Sequence, residues 1–488
     1  MSLRRVDSRF CLPRPPRTAV VFDGLDGWRT GLAEAGVEIL AAGEPADLIV
    51  ARADSAESAV AAGASMVIVE GRGGGRRLER AGLVSRRFLV RPEADRPEFL
   101  LPLQAPKVAD YAVRMWSAGF TRSKAMRNRL ASWLVRGRLM PEVGPVVAVG
   151  SRSPGSPYVV QAAQRLGVPA DAQWLMACGQ ADVLSRNVFH LFQKGAAVPS
   201  WVLKFARVAG YDDPFVQDER GLRVAQEVAV AARRAPTMLG RFQVDGLEAS
   251  LETAAAGAKL RDALLAPGPE VDKIRLIDTV AAWLVELASA SAADSEALAP
   301  ELRRLLHEVI PAWRASDVSD GLVHDLPPVA AVLQHNDLGS WNIVVGDGEF
   351  TAVDWEAARR FGLPLWDLLY FLTDALATLD RVAGPAEQDE HTRLVLRGES
   401  IRSAFFFDWL RRMVDVLGIP GPAVGPIATL AWLHHGLSPG ARATAAERFG
   451  STTALPAPAS RIAAFWLDDP RLGLAWPAWR TFVGARSA

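Results

Sequence analysis

Two polar segments that interrupt apolar runs in the second half of the chain constrain its fold more than any other feature. The first reads LQHNDLGSWNIV and places His335, Asp337 and Asn342 in one short loop. The second reads AVDWE and places Asp354 at the end of the next apolar run, FTAV. Carboxylate and amide oxygens are ligands for hard divalent cations such as Mg²⁺. The two segments therefore predict neighbouring loops whose oxygen-bearing side chains converge on one point.

Length and composition bound what surrounds these segments. At 488 residues the chain is too long for a single hydrophobic core, which predicts about two to four domains. Half of the residues are apolar and 23% are charged, as in globular proteins. Lysine plus arginine and aspartate plus glutamate number 55 each, so no overall electrostatic field favours nucleic acid or an anionic membrane as a partner.

Cysteine usage and hydropathy predict a cytoplasmic protein. Cys11 and Cys178 are far apart in the sequence and indicate neither a disulfide framework nor a zinc site. The opening MSLRRVDSRFCLPRPPR is positively charged, but no apolar stretch of signal-peptide length follows it. No later apolar run reaches the roughly 20 residues that span a bilayer. We therefore expect no membrane insertion, and a loose Pro/Arg-rich arm over residues 1–17.

Residues 18–140 are predicted to form an α/β, Rossmann-like domain. The apolar runs TAVVF, VEIL, DLIVA, SMVIVEG and RRFLV alternate with helix-like segments, which is typical of a parallel sheet covered on both faces. The turn after the first run, FDGLDGWRTG, contains Gly24, Gly27 and Gly31 without the spacing of a dinucleotide-binding turn. The segment resembles a class I methyltransferase sheet that lacks its cofactor loop.

The segment GRGGGRR, which follows SMVIVE, has two interpretations. Its glycines free the backbone, and Arg72, Arg76 and Arg77 flank a predicted helix N-terminus, an arrangement that suits a phosphate. The alternative, which we favour, is a flexible and solvated turn.

Past a linker region at residues 141–172 the pattern becomes antiparallel. The runs QWLMACG, NVFHLFQKG and SWVLKFAR are separated by turns and predict a three-stranded meander. The third run carries Lys204 between apolar neighbours, so its ammonium is buried or paired with an anion. A helix that begins near Asp213 offers Glu219 and Glu227, and we prefer Glu219 as the partner. A strand lysine followed by a helix glutamate is the arrangement of a kinase small lobe.

The two polar segments supply the chemistry that such a lobe requires. Phosphoryl transfer needs a carboxylate that positions the attacking hydroxyl and accepts its proton, together with oxygen ligands for Mg²⁺. The loop H-x-D-x-x-x-x-N and the later D-W-E resemble the aminoglycoside phosphotransferase and choline kinase family, distant relatives of protein kinases. The resemblance extends to RFGLPLWDLLYFL, where Asp367 matches the structural acid of the family.

By this resemblance the Rossmann-like domain precedes a two-lobed α+β protein-kinase-like domain, with a small lobe over residues 173–250 and a large helical lobe over residues 251–488. The implied cofactors are ATP and Mg²⁺. Five side chains receive roles by the resemblance: a catalytic base (Asp337), a brace of the loop (His335), two Mg²⁺ ligands (Asn342 and Asp354) and a contact to the nucleotide phosphates (Lys204).

Parts of the chain depart from the usual form of the family. Asn336 and Trp341 stand where many members have glycine, which alters the acceptor side of the loop. The turn GQADVLSRN takes the place of a glycine-rich nucleotide loop. Its candidate phosphate contacts are Ser185, Arg186 and Asn187. The hinge that meets the purine edge is expected near SLETAAAG, at Leu251 and Thr253.

The leading hypothesis is an ATP-dependent phosphotransferase that acts on a hydroxyl of a small molecule, namely a sugar, a glycan intermediate, an amino alcohol or an antibiotic. Most tryptophans of the large lobe, together with the adjacent His434 and His435, are interpreted as structural residues. Two alternatives stay open: a non-catalytic kinase-like binding or scaffold protein, and a bifunctional methyltransferase-kinase. The motifs determine neither the acceptor nor the oligomeric state.

Overall fold

The protein is mixed α/β and forms two compact units. The computed structural model describes residues 6–95, 97–117, 126, 145–152, 155–178, 184–346, 348–447 and 458–487. The first unit comprises Met1–Ser117, Arg122–Phe215 and Met238–Ala256. The second unit comprises Ala118–Thr121, Val216–Thr237 and Gly257–Ala488.

The described part of the first unit is built on one twelve-stranded sheet. Its strands are β1 Thr18–Val21, β2 Glu38–Ile39, β3 Leu48–Arg52, β4 Met66–Glu70, β5 Val84–Pro92, β6 Pro97–Pro102, β7 Val146–Ser151, β8 Gln173–Ala177, β9 Asn187–Phe192, β10 Trp201–Phe205, β11 Met238–Val244 and β12 Leu247–Thr253. Their order in the sheet is β11-β12-β10-β9-β8-β6-β5-β7-β4-β3-β1-β2. The helices are α1 Asp26–Glu34, α2 Ala56–Ala61, α3 Gly74–Arg80, α4 Pro106–Ser117 and α5 Tyr158–Ala163.

Four neighbouring strands of this sheet, β2, β1, β3 and β4, are parallel, in agreement with the alternating apolar pattern. The run RRFLV lies in β5, which pairs antiparallel with β6 and β7. The parallel arrangement ends at β4, because β7 is inserted antiparallel between β4 and β5. The predicted linker region at residues 141–172 therefore contains a fully buried central strand.

The predicted antiparallel meander is present as β8, β9 and β10, which pair in that order. It is continuous with the parallel strands, because β6 pairs with β8 through Phe99 opposite Ala177 and Leu100 opposite Met176. One apolar core extends along this sheet from Val6 to Leu251. The predicted Rossmann-like domain and the predicted small lobe thus share one sheet and one core.

The expectation of a loose arm over residues 1–17 is wrong for the residues that the structure describes. Residues Asp7–Cys11 form a 3₁₀ turn, and Val6, Phe10 and Leu12 are buried in the core. The Phe10 ring meets the Phe205 ring edge-on, with centroids 4.6 Å apart. The Pro/Arg-rich composition obscured these apolar side chains, whose burial offsets the cost of ordering the segment.

The described part of the second unit is mainly helical, with two small sheets. Helix α6 Asp213–Gln226 begins in the first unit and continues into this one. The other helices are α7 Ala229–Ala232, α8 Leu260–Leu265, α9 Glu270–Ser291, α10 Ala299–Arg304, α11 Ile310–Ala312, α12 Gly321–His324, α13 Trp366–Leu379, α14 Pro385–Leu396, α15 Ser403–Leu417, α16 Gly421–Glu447, α17 Pro458–Asp468 and α18 Pro477–Ser487. The strands are β13 Ala258–Lys259, β14 Val332–Gln334, β15 Ile343–Gly346, β16 Glu349–Ala352 and β17 Arg359–Gly362.

The small sheets and the long helices of this unit position the polar segments. Strands β13, β15 and β16 form one antiparallel sheet, and β14 pairs antiparallel with β17. Helix α9 packs against α13 and α15 behind them. Trp432, Trp466 and Trp476 are each less than 2% exposed, which confirms that these tryptophans pack the core.

Within the described ranges, no single helix is long and apolar enough to cross a membrane. Two consecutive helices, Ser403–Leu417 and Gly421–Leu437, together have the length and apolar composition of a span, but the chain bends by 116° between them. The side chains of this pair contribute to the buried core, among them Trp409 and Trp432.

Candidate functional site

The loop HNDLGSWN connects two short strands of the second unit. It leaves β14 after Gln334 and enters β15 at Ile343 through a 3₁₀ turn over Ser340–Asn342. Leu338, in the middle of the loop, is fully buried, so an apolar side chain anchors it to the core. Asn336 has φ of 67°, a left-handed conformation that asparagine tolerates better than most residues.

Asp367, in the first turn of α13, holds the start of the loop. Its Oδ2 accepts a hydrogen bond from the backbone N–H of His335 at 2.6 Å, and its Oδ1 accepts one from Asn336 N–H at 2.7 Å. Burial raises the pKa of Asp367 to about 6, and these two hydrogen bonds oppose that shift. The carboxylate therefore fixes two consecutive peptide groups of the loop.

The same helix contacts the loop at two further points. Asp374 Oδ2 accepts a hydrogen bond from Ser340 N–H at 2.8 Å. The Tyr370 ring meets the Trp341 ring edge-on, with centroids 6.0 Å apart, and burial followed by the charge of Asp337 raises the pKa of the Tyr370 hydroxyl. The three contacting residues of α13 are spaced i, i+3 and i+7, so they share one helical face. One face of one helix thus positions most of the loop.

The structure brings Asp337 and Asn342 together. Asn342 Nδ2 donates to Asp337 Oδ2 at 3.0 Å and to the backbone carbonyl of Asp337 at 2.9 Å. Burial, followed by the negative charges of Asp354 and Glu356, raises the pKa of Asp337 to about 7, and the Asn342 amide opposes this shift. A carboxyl group with a pKa near 7 is in the range that suits a general base at neutral pH.

Asp354 reaches the same region from the second polar segment. It follows β16 and has φ of 69°, again a left-handed conformation outside glycine. The preceding residue, Val353, donates its backbone N–H to Asn342 O at 2.8 Å, which joins the two segments. The charge of Asp354 acts on the pKa values of both Asp337 and His335. The two segments singled out in the sequence therefore lie side by side.

A close helix contact supports the turn that carries Asp354. A Cβ atom on Gly221 of α6 would overlap the backbone carbonyl of Trp355. Trp355 is fully buried, and its indole N–H donates to Ala352 O at 2.9 Å. The helix can approach this turn because residue 221 has no side chain.

His335, in the first polar segment, contacts two residues of the second segment. Its Nε2 lies 3.0 Å from Val353 O, and its ring centroid lies 4.6 Å from that of Trp355. Burial lowers the pKa of His335 to about 4, so the ring is neutral at pH 7 and Nε2–H donates to the carbonyl. These contacts suit a residue that braces the loop, because the buried His335 ring is neutral at pH 7.

A polar network behind the loop was not predicted from the sequence. Glu301 accepts hydrogen bonds from Arg304 at 2.7 and 3.0 Å and from Arg359 at 2.7 Å. His434 lies between Arg304, 3.3 Å from its Nδ1, and the Asn336 amide, 3.1 Å from its Nε2. Arg304 Nη2 and Asn336 Nδ2 are both donors, and a neutral imidazole has one acceptor nitrogen, so the ring accepts a hydrogen bond from one of the two. The i, i+3 spacing of Glu301 and Arg304 was the local signal available.

The donor set of the loop suits a divalent cation that is shared with a phosphate-bearing ligand. Asn342 uses its Nδ2 on Asp337, which leaves its Oδ1 for a cation, and Asp354 contributes a carboxylate. Among the described residues, no group of three or more His, Cys, Asp and Glu side chains is arranged to hold a metal. Mg²⁺ is commonly held by one or two protein oxygens with phosphates and water as further ligands, so this donor set fits it in that form.

Lys204 lies on β10 in the first unit and is buried. Its Nζ is 3.1 Å from Glu252 Oε1 on the neighbouring strand β12, and the two side chains are 9% and 4% exposed. Glu252 was not predicted as a partner of Lys204 from the sequence. The signal was its position in LEASLET, where polar residues alternate along a strand that pairs with the lysine strand.

The two glutamates considered as partners of this lysine also have contacts of their own. Glu219 Oε1 accepts a hydrogen bond from Arg223 one turn along α6, at 3.2 Å. Glu227 Oε2 lies 3.5 Å from Arg360 Nε. The pairing of Lys204 with Glu219 stays a prediction.

Asn187, a predicted nucleotide-loop residue, belongs to the core. It is fully buried at the start of β9, where its Nδ2 donates to Asp7 Oδ1 and its Oδ1 accepts from Arg207 Nε, both at 3.3 Å. A buried amide needs internal partners, and this one has them, so its assignment as a direct phosphate contact is wrong.

The other two candidates of that loop are half-buried. Ser185 and Arg186 precede β9, and the Arg186 guanidinium lies 5.9 Å from the centroid of the Phe215 ring. Residues 179–183 of the predicted loop lie outside the described residues. Ser185 and Arg186 therefore stay as candidates for the phosphate contact.

Leu251 lies inside the sheet and not at a hinge. It is fully buried and faces Leu203 on β10 and Gly240 on β11 in the strand register. Because a strand with neighbours on both sides uses its backbone groups in the sheet, the predicted contact of Leu251 with a purine edge is wrong. Thr253 is the last residue of β12, opposite Trp201, and stays as the candidate nearest the strand end.

Comparison with solved structures returns phosphotransferases. One is APH(2")-IIia in complex with GDP and kanamycin, at 15% identity over 54% of this chain and 86% of that chain, with a TM-score of 0.30. Another is glucosamine kinase with glucosamine, ADP and inorganic phosphate, at 14% identity over 66% and 84%, TM-score 0.31. A third is the bifunctional kinase-methyltransferase WbdD, at 12% identity over 85% and 86%, TM-score 0.27.

These matches are small-molecule phosphotransferases and kinases, the class of protein that the two polar segments resemble. No protein-family profile matches the chain, and no curated protein matches it in sequence. With identities of 10–15% and TM-scores of 0.26–0.32, the similar structures carry no argument about the activity of this chain. The function proposed below rests on the side chains around Asp337.

Proposed function

We propose that the protein is a phosphotransferase that uses ATP and Mg²⁺ to phosphorylate a hydroxyl group of a small molecule. The observation that carries the proposal is the contact between Asp337 and Asn342. It pairs a buried carboxyl group, whose pKa is raised to about 7, with an amide whose oxygen is left for a cation. A base and a cation ligand on one short loop are what phosphoryl transfer to a hydroxyl requires.

In this proposal Asp337 orients the acceptor hydroxyl and accepts its proton. Asn342 holds Oδ2 of that carboxylate, so Oδ1 is the oxygen that faces the hydroxyl. Asn342 and Asp354 would hold the Mg²⁺ ion, which when bound with ATP neutralises charge on the transferred phosphate. The hydrogen bonds of Asp367 and Asp374 to the loop backbone keep the loop from relaxing, so the geometry of the base is set before the substrate binds.

Lys204 is the proposed contact for the nucleotide phosphates. Its ammonium lies on a buried strand, 3.1 Å from the Glu252 carboxylate. A fixed positive charge is what the resemblance requires at this position. Thr253, Ser185 and Arg186 remain proposed nucleotide contacts on weaker grounds, because no described contact ties them to such a ligand.

The proposal is tested with purified protein, ATP labelled in the γ-phosphate and a panel of sugars, amino alcohols and antibiotics, with products identified by mass spectrometry. Asp337→Asn is expected to lower kcat by about 10²–10⁴-fold, because the amide cannot accept the proton. Nucleotide binding, measured by calorimetry, is expected to stay within a few-fold. The matched control is Asp317→Asn, the same change at an exposed residue of the second unit.

Two outcomes would contradict the proposal. Turnover by Asp337→Asn close to that of the wild type would exclude this residue as the base. Magnesium-dependent ATP binding without transfer to any acceptor would favour a non-catalytic binding protein instead. Loss of activity in Asp317→Asn as well would show that the effect is not specific to the loop.

A further inference from the structure

A histidine of helix α16 contacts the loop HNDLGSWN at Asn336, the residue directly before Asp337. His434 Nε2 lies 3.1 Å from Asn336 Nδ2. Asn336 is 5% exposed, and its Oδ1 has no hydrogen-bond partner among the described residues. Buried polar groups are as a rule hydrogen-bonded, so the position of this amide depends on the contact with the His434 ring.

The backbone of Asn336 also needs support. Its φ of 67° is a left-handed conformation, which a residue other than glycine keeps only where its surroundings hold it. Asp367 Oδ1 accepts a hydrogen bond from its N–H at 2.7 Å, and His434 lies against its side chain. Because Asp337 is the next residue, a rotation about the Asn336 backbone moves the Asp337 carboxyl group.

The His434 ring has two further neighbours that fix its position. It stacks on the buried Trp366 ring, with centroids 5.1 Å apart and an angle of 22° between the planes. The Trp366 indole N–H donates to Ile427 O of α16 at 3.1 Å, which ties the stacked pair to the helix. His434 Nδ1 lies 3.3 Å from Arg304 Nη2.

The acceptor nitrogen of the neutral ring faces Asn336 rather than Arg304. A neutral imidazole accepts one hydrogen bond, and Arg304 Nη2 and Asn336 Nδ2 are both donors. Arg304 also donates to the Glu301 carboxylate, at 2.7 and 3.0 Å, so its guanidinium has partners without the ring. The Asn336 amide has no second partner in the described part of the chain, so it is the group that loses its support when Nε2 is removed.

We propose that His434 is a positioning residue for Asp337, which acts through Asn336 to hold the loop in the conformation that presents the carboxyl group to the acceptor. The inference rests on the proposed function, in which Asp337 is the base. The sequence predicted a structural role for this histidine, and the resemblance assigns it none. A base that is fixed before the substrate binds raises kcat, so loss of the contact lowers kcat more than it weakens binding of MgATP.

Two substitutions separate the two ring nitrogens. The side-chain amide of glutamine reaches the position of Nε2, and that of asparagine the position of Nδ1, because each amide lies as many bonds from Cβ as the nitrogen that it replaces. His434→Gln therefore retains a polar atom at Asn336, and His434→Asn retains one at Arg304. We expect kcat to fall about tenfold in His434→Asn and to stay within about threefold in His434→Gln, with the Kd for MgATP within about twofold in both.

Turnover is measured with the full-length protein as release of labelled phosphate from MgATP and as transfer to the panel of sugars, amino alcohols and antibiotics, so water serves as an acceptor in every assay. Calorimetry gives the Kd for MgATP, and thermal unfolding gives the stability. A purely structural role would lower the melting temperature and kcat alike in the two variants. The matched control is His324→Asn, the same change at an exposed histidine of the second unit, for which we expect no change in kcat.

A double-mutant cycle with Asn336→Gly tests the route of the effect. Glycine has no amide to hold and adopts a positive φ without strain, so His434 has nothing to support in this background. We expect His434→Asn to change kcat by less than about twofold when it is added to Asn336→Gly, against about tenfold when it is added to the wild type.

Each result decides the inference. A loss of kcat in His434→Asn, retained turnover in His434→Gln and no further loss in the Asn336→Gly background support it. Equal kcat values in the two variants overturn it, as does a loss that persists in the Asn336→Gly background. If His434→Asn does not fold, His434→Phe, which keeps an aromatic ring against Trp366 and lacks both nitrogens, replaces it. Wild-type protein without turnover on any acceptor overturns the proposed function and this inference with it, whereas the other failures leave the proposed function intact.

Discussion

Two regions place polar side chains at the ends of strands and use them differently. In the loop HNDLGSWN, carboxylates of α13 accept hydrogen bonds from backbone N–H groups, and Asn342 donates a hydrogen bond to Asp337. At the carboxyl edge of the parallel strands, Arg52 Nη2 donates to Gly24 O at 3.0 Å and Trp28 Nε1 donates to Glu70 Oε2 at 3.0 Å. In the loop, the side chains that hold the backbone come from a separate helix, whereas at the edge the polar side chains bind groups of the edge itself.

Backbone conformation separates the same two regions. Three non-glycine residues in or beside the two polar segments have positive φ, namely Asn336, Asp354 and Leu365 at 67°, 69° and 74°. Next to the parallel edge, the described residues with positive φ are glycines: Gly24, Gly71 and Gly73. Glycine adopts this conformation without strain, whereas other residues need surrounding contacts to hold it. The two polar segments therefore store strain, whereas the described residues with positive φ at the parallel edge are glycines that adopt it freely.

The first prediction breaks the support beneath the loop. Asp367→Asn retains one oxygen acceptor but turns an NH₂ group toward the second backbone N–H, so one of the two hydrogen bonds becomes a clash of donors. We expect kcat to fall by about 100-fold, because small displacements of a catalytic group carry costs of that size. Steady-state kinetics measure the loss, and circular dichroism checks that the fold is retained.

The control for this variant is Asp374→Asn on the same helix face. Asp374 binds one backbone N–H, that of Ser340, and an asparagine oxygen can still accept it. We expect its kcat to fall by less than about fivefold. Equal losses in the two variants would contradict the view that the double acceptor at Asp367 sets the loop.

The second prediction breaks the helix contact at the Asp354 turn. Gly221→Ala introduces a Cβ that overlaps the Trp355 carbonyl, so helix or turn must move. We expect a loss of about 1–3 kcal/mol in the free energy of unfolding and about a tenfold loss in kcat. Gly484→Ala in α18 is the control, since nothing lies within 4 Å of its new Cβ and alanine favours a helix. Stability equal in the two variants would show that the turn yields freely.

Local patterns in the sequence predicted the strands and loops of the site. The features that they did not predict depend on packing between distant segments. The meander with Lys204 and the loop with Asp337 follow from runs of apolar residues and polar breaks, which act over a few residues. The insertion of β7 beside β4 depends on strand pairing between distant segments, for which the local pattern holds no signal. The burial of Phe10 was hidden by the arginines and prolines around it.

Residue roles at the site show the same division. Asp367 was found because it lies in a recognisable motif, and its two backbone contacts then followed from the fold. The contacts of Asn336 with His434 and of Asp7 with Arg207 join residues about 100 and 200 positions apart, for which spacing and periodicity give no indication. Glu252 was missed because the pairing of β10 with β12 had to be known first.

The third prediction concerns the effect of the Glu356 charge on the pKa of Asp337. Glu356→Gln removes a negative charge that raises the pKa of Asp337, so that pKa moves down from about 7. The base acts when ionised, so kcat/KM falls as pH drops through this pKa, and the variant retains activity to lower pH. The raised pKa also means that this carboxyl group lowers folding stability as pH rises from about 4 to about 7. Exposed Glu308→Gln is the control, and an unmoved acidic limb in Glu356→Gln would contradict the assignment.

The smallest expected effect lies at the parallel edge. Glu70→Gln retains an oxygen that accepts from Trp28 Nε1, so we expect a change of about 0.5–1 kcal/mol in the free energy of unfolding and none in kcat/KM. Thermal unfolding and steady-state kinetics measure the two quantities. The polar side chains at this edge bind other groups of the edge. A tenfold or larger loss of turnover in Glu70→Gln would therefore mean that the edge contributes to the reaction. That result would remove the contrast between the edge and the loop.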